Sequence, residues 1–106
     1  MKYADPLLLS DSVRSYEPKR RRTRDHAKYL APYFVIAVDE TTRHVEIYPP
    51  GELFSSYFET ADKTIVGLAL TKKESEQMVA SLVTETFKDS GTSDVYGYLQ
   101  KTGVLS

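Results

Sequence analysis

The chain has 106 residues, no cysteine and a formal net charge of −1. That length suits one domain and is short for two conventional ones. The absence of cysteine excludes disulfides, thiolate catalysis and cysteine-ligated zinc together, and agrees with a reducing, cytoplasmic setting. The net charge conceals a division: residues 1–30 hold eight Lys/Arg against four Asp/Glu, a net of +4, and residues 31–106 hold six against eleven, a net of −5. The longest apolar runs, Tyr33 to Val38 and Ile65 to Leu70, fall far short of the about 20 residues that span a bilayer as a helix. The apolar run Pro6 to Leu9 is too short for a signal-peptide core, so a soluble intracellular protein is expected.

Residues 1–22 show no sustained hydrophobic period. Asp5 before Pro6 suits the start of one or two helical turns, because proline fits the first helical position and aspartate accepts the orphan amide bonds there. Glu17 and Pro18 end any such helix, since the residue before a proline is pushed out of the helical region. Thr23 is placed to cap a second short helix running to Ala31, with Asp25 in its first turn and Pro32 at its end. The basic cluster Lys19, Arg20, Arg21, Arg22 and Arg24 lies just before it.

Tyr33 to Val38 is continuously apolar and rich in strand formers, the pattern of a central strand covered on both faces. Asp39 to Thr42 is a polar turn. Arg43 to Tyr48 then alternates, Val45 and Ile47 on one side and His44, Glu46 and Tyr48 on the other, which predicts a half-exposed strand in an antiparallel hairpin. Pro49, Pro50 and Gly51 stop it. Between Glu52 and Glu59 the residues Leu53, Phe54, Tyr57 and Phe58 fall at the spacing of two helical turns.

Thr64 to Leu70 is a second buried-strand pattern, broken at Gly67, which in a strand marks a bulge or close packing of a helix. Thr71 to Glu74 forms a capping box, with the Thr71 hydroxyl accepting the Glu74 amide and the Glu74 carboxylate reaching back to the Thr71 amide. The helix that follows, over 72–88, carries the stripe Met78, Val79, Leu82, Val83 and Phe87, and Gly91 is placed to end it. Ser93 or Asp94 caps a last short segment with Val95, Tyr96, Tyr98 and Leu99, ending near Gly103. The expected fold is α+β in two layers: a small, mainly antiparallel sheet of three or more strands (33–38, 43–48 and 64–70) with one principal helix packed on it. Residues 1–25 form a basic N-terminal arm, partly ordered or docked on the body or on a second subunit, and residues 26–106 a single domain.

No pattern points to a reaction. His26 and His44 have no ligand at a recognised metal spacing, the glycines form no phosphate loop, and no cofactor is implied. Asp39, Glu40, His44 and Glu46 gather near one hairpin, but hairpin turns are commonly acidic for solubility alone. The basic cluster suits an acidic partner, whether protein or nucleic acid; Tyr48, with His44 beside it, is a thin stacking platform for bases, whereas the acidic body repels phosphate. Leu53, Phe54, Tyr57, Phe58, Tyr96 and Tyr98 are apolar yet wettable, as interface residues are. Two continuously apolar strands need cover on both sheet faces and one helix supplies only one, which favours a homo-oligomer, a dimer first. The function expected is a self-associating, non-enzymatic interaction module whose basic arm engages an acidic partner. The alternatives are a nucleic-acid accessory protein and a small enzyme or ligand-binding domain with its site at a subunit interface.

Overall fold

A computed structural model describes residues 2–16, 32–52 and 63–105. Among them are the strands β1 (Lys2–Leu9), β2 (Phe34–Asp39), β3 (Val45–Tyr48) and β4 (Lys63–Ala69), and the helices α1 (Asp11–Tyr16), α2 (Lys72–Ser90) and α3 (Val95–Lys101). The strands form one mixed sheet in the order β1-β4-β2-β3. β2 pairs antiparallel with both β3 and β4, and β1 pairs parallel with β4. The expected α+β class and the largely antiparallel sheet are therefore observed, with a fourth strand added at one edge.

That fourth strand lies where Asp5 and Pro6 suggested helical turns. Pairing decides the matter: Leu8 stands opposite Gly67 and Leu9 opposite Leu68, and an edge strand tolerates a proline that has no N–H to donate. The register breaks between Tyr3 and Leu8, on either side of Pro6. Helix formation is delayed to α1, where the Ser10 side-chain oxygen accepts the Val13 amide at 3.3 Å. α1 ends at Tyr16, just before the expected Glu17–Pro18 stop. The helix expected from Thr23 to Ala31 and the helical turns expected over 53–59 lie outside the described residues.

The β2–β3 hairpin follows the expected pattern, with Ile36 opposite Ile47 and Val38 opposite Val45. Its turn is organised by Asp39, whose carboxylate accepts the Thr41 and Thr42 amides at 2.8 and 2.9 Å. Arg43 takes the left-handed conformation, φ 64°, so β3 starts at Val45 and not at Arg43.

Gly67 serves both of its expected roles. Ile36 pairs with Gly67 while Ala37 pairs with Ile65, which leaves Val66 as the extra residue of a bulge. A Cβ at position 67 would stand 3.2 Å from the Leu8 carbonyl oxygen, 3.3 Å from Ile36 Cδ1 and 3.4 Å from Met78 Cε. The missing side chain thus lets β1 and α2 approach β4 together.

Both sheet faces are buried within the single chain. Val35, Ala37, Tyr48, Ile65 and Leu68 form one core with Val13 of α1 and Tyr33. Ile36, Val38 and Val66 form the other with Val95, Tyr96 and Leu99 of α3, and Met78, Val79 and Leu82 of α2 pack against it. The need for cover that favoured a second subunit is met inside one chain.

The buried face of α2 is not the expected stripe. Ser75 and Thr86 are its fully buried residues, whereas Val83 is 39% and Phe87 62% exposed. Positions 75, 78, 79, 82 and 86 follow one helical face, but the row Val79, Val83, Phe87 turns about 40° further at each step of four, at about 100° per residue. It leaves the sheet one turn after Val79. The two buried hydroxyls are satisfied within the helix, Ser75 donating to the Lys72 carbonyl and Thr86 to the Leu82 carbonyl, both at 2.6 Å. At the C-terminus Gly91 adopts φ 72° and its N–H donates to the Phe87 carbonyl at 2.8 Å, the expected stop.

Gly67→Val is expected to lower unfolding free energy by about 1–3 kcal/mol or more, because the added atoms meet a backbone carbonyl that cannot rotate away. Urea unfolding measures this, and a variant as stable as the parent contradicts the close packing described.

Candidate functional site

α2 packs on β2, β3 and β4, and β1 lies at the sheet edge beyond β4. Between them runs an open groove of about 410 Å³. Leu8, Met78 and Leu82 give it apolar walls, Tyr98 of α3 also lines it, and among the described residues its charged groups are Asp11, Glu74 and Glu85, with no Lys or Arg. Glu74 is held in place by the capping box at the start of α2. Its amide donates to the Thr71 hydroxyl at 3.1 Å, while its carboxylate accepts the Ser12 hydroxyl of α1 at 2.8 Å instead of reaching back to the Thr71 amide. Glu85 is also within 3.8 Å of Lys88, in an exposed pair that screens it little.

The groove borders β1, an edge strand among the described residues. β1 has β4 on one side and no strand on the other among the described residues. The Ser10 amide donates to the Leu68 carbonyl at 3.2 Å, so by strand alternation Leu8 also faces β4, and Leu7 and Leu9 direct their N–H and C=O groups to the side away from β4.

A second cluster sits at the other end of the sheet, at the hairpin acids. Lys63, at the start of β4 and with a side chain only 10% exposed, donates to Asp39 Oδ2 at 2.7 Å and to Glu46 Oε1 at 2.6 Å. Its ammonium is 5.8 Å from the centre of the Tyr48 ring. Glu40 turns to the opposite face, where it accepts the Thr64 hydroxyl at 2.6 Å and the Tyr96 hydroxyl at 2.5 Å. The Arg43 guanidinium lies 5.0 Å over the Tyr96 ring, which gives its left-handed backbone a packing reason. The acids expected near one hairpin are thus divided between two faces, and His44 is exposed.

The titration behaviour of this cluster is that of a clamp. Burial lowers the Lys63 pKa, but hydrogen bonds with Asp39, Glu46 and Tyr48 more than offset it and hold the ammonium charged well above its ordinary range. The Lys63 hydrogen bond, with those from the Thr42 and Thr41 amides, lowers Asp39 to about 2. The Glu40 hydrogen bond, with burial, raises Tyr96. Burial raises Tyr48. A lysine base or nucleophile needs a lowered pKa, and a carboxyl acid at neutral pH a raised one; here both move the other way.

Of the residues singled out in the sequence, Lys19, Arg20, Arg21, Arg22, Arg24, Leu53, Phe54, Tyr57 and Phe58 lie outside the described residues. Tyr96 is buried in the α3 core, and Tyr98 is half-buried and lines the groove. Sequence reasoning missed Lys63, whose two partners come from β2 and β3 across the sheet. It also missed the groove, since its walls come from residues 8–11 and 74–85. The i, i+4 recurrence of Glu74, Met78 and Leu82 was the one readable trace of it. Among the described residues no group of three or more His, Cys, Asp or Glu could hold a metal ion, and no helix is long and apolar enough to cross a membrane. Comparison of the chain with protein-family models, with curated proteins and with solved structures gives no match.

The direction of the Asp39 shift fixes a pH dependence. Its paired carboxylate adds stability that is complete above the ordinary carboxyl pKa of about 4 and is lost as pH falls through its folded value of about 2. Urea midpoints followed down from about pH 5 should therefore fall more steeply in the parent than in Asp39→Asn. Equal slopes overturn the assignment.

Proposed function

We propose that the protein is a non-enzymatic interaction module that associates with itself, the basic cluster Lys19 to Arg24 of one chain docking in the β1–α2 groove of another. The observation that carries this reading is the sign of the groove: among the described residues, three carboxylates and no basic group line a concave, partly apolar surface. The chain holds its complement in five Lys/Arg within six positions. Opposite potentials steer association and fix register, and the walls Leu8, Met78 and Leu82 supply the apolar contact that exposed ion pairs alone do not.

The reading is tested by sedimentation across a concentration series. The parent should form a dimer that weakens with added salt, and two variants should shift to monomer: one with Arg20, Arg21, Arg22 and Arg24 changed to Gln, the other Glu74→Gln with Glu85→Gln. Glutamine at 74 preserves the capping pattern, so loss of association there is not loss of the helix. A parent that stays monomeric at high concentration, or variants that associate as the parent does, would overturn the proposal.

A further inference from the structure

A cation seated in the groove would meet more than negative charge. An ammonium is a compact, strongly hydrated point charge, whereas a guanidinium is planar and more weakly hydrated, stacks on aromatic faces and meets a carboxylate with a fork of parallel N–H donors. A cleft that offered charge alone would treat the two alike. This one combines an aromatic ring, a carboxylate and an apolar wall. We infer that Tyr98 and Glu85 form a subsite selective for arginine over lysine, the guanidinium resting on the tyrosine ring and bonding to the carboxylate. This rests on the docking reading above and specifies which cation the groove takes.

Tyr98 is half-buried and lines the groove together with Glu85. It also lines a smaller hollow with Asp89 and Ser90. Glu85 is about one turn before Asp89 on α2 and Glu74 about four turns before it, so Glu85 is the helix acid on the Tyr98 side of the groove. Glu85 is also the less committed of the two. Its contact with Lys88 involves Oε1 at 3.8 Å, beyond hydrogen-bond distance, whereas Glu74 already accepts the Ser12 hydroxyl at 2.8 Å. The half-buried Met78 and Leu82 offer an apolar surface for the methylenes of an arginine stem. A cation over an aromatic face gains most where water is partly excluded, as in a concave site.

The composition of the basic cluster fits this preference. Four of the chain's six arginines are Arg20, Arg21, Arg22 and Arg24, while its eight lysines are spread from Lys2 to Lys101. Charge alone does not call for that bias, because lysine carries the same charge.

The test exchanges one cation for the other at constant charge. In the full chain Arg20, Arg21, Arg22 and Arg24 are changed together to Lys, and dimer dissociation is measured by sedimentation beside the parent. The exchange leaves every described residue in place. The lysine variant should associate about tenfold or more weakly. Tyr98→Leu should weaken the parent by a comparable factor and add little further loss to the lysine variant, the coupling expected of groups in contact. Tyr98→Phe, which keeps the ring, should associate as the parent does; urea midpoints check that each Tyr98 variant is folded. If the lysine variant associates as the parent does, if Tyr98→Leu leaves the parent unchanged, or if the two losses simply multiply, arginine selectivity is overturned and docking by charge stands. If the parent is monomeric, or the Gln variants above associate as it does, the docking reading fails and this inference with it.

Discussion

Strand β4 is the element through which the rest of the structure is connected. It lies between β1 and β2, each of its seven residues is buried, and its side chains enter both cores. The constraint sits at one position. Because Gly67 has no Cβ, the Leu8 carbonyl of β1, Ile36 of β2 and Met78 of α2 converge on the same point. A bulge at Val66 keeps Ile65 on one face and Val66 on the other while the ladder with β2 continues. The edge strand, the position of α2 and the groove between them all depend on that approach.

The groove follows from how a helix covers a sheet. α2 places its contact face over β2, β3 and β4, and β1, paired to β4 at the sheet edge, adds Ala4 and Leu7 to the core beneath. The space between is left concave. Its acidity is local: the capping glutamate, placed there to satisfy the helix start, stands beside Asp11 in the first turn of α1, and Glu85 joins them three turns along. Groups that stabilise helix termini thereby also give the groove its sign. At the far end of the sheet, Lys63 ties together the turn carboxylate of β2 and the alternating carboxylate of β3. Removing either partner of such a partly buried pair leaves a charge poorly solvated, which explains why a lysine occupies a buried strand start at all.

Reading from sequence succeeded where local chemistry and period agree. The Tyr33 to Tyr48 hairpin, the turn at Asp39, the Thr71 cap and the Gly91 stop each depend on groups within a few residues of one another. It failed at β1, because a strand with Pro6 and no clean alternation is stabilised by a partner some sixty residues away. It also misplaced the inner face of α2. Hydrophobicity pointed to Val83 and Phe87, but the helix meets the sheet on the face of Ser75 and Thr86, whose hydroxyls bond to carbonyls of their own helix and so are buried with their hydrogen bonds satisfied.

The candidate site divides in the same way. The segregation of charge into a basic N-terminal part and an acidic remainder was determined by sequence alone, as was the α+β class, since both are sums over residues or over periods shorter than two turns. Which acids face one groove, which pair with Lys63 and which strand lies at the edge among the described residues were decided only by the tertiary structure. Those properties depend on the order β1-β4-β2-β3 and on the rotation of α2 over it. Both are set by long-range pairing and by the space at Gly67, and neither leaves a period in the chain.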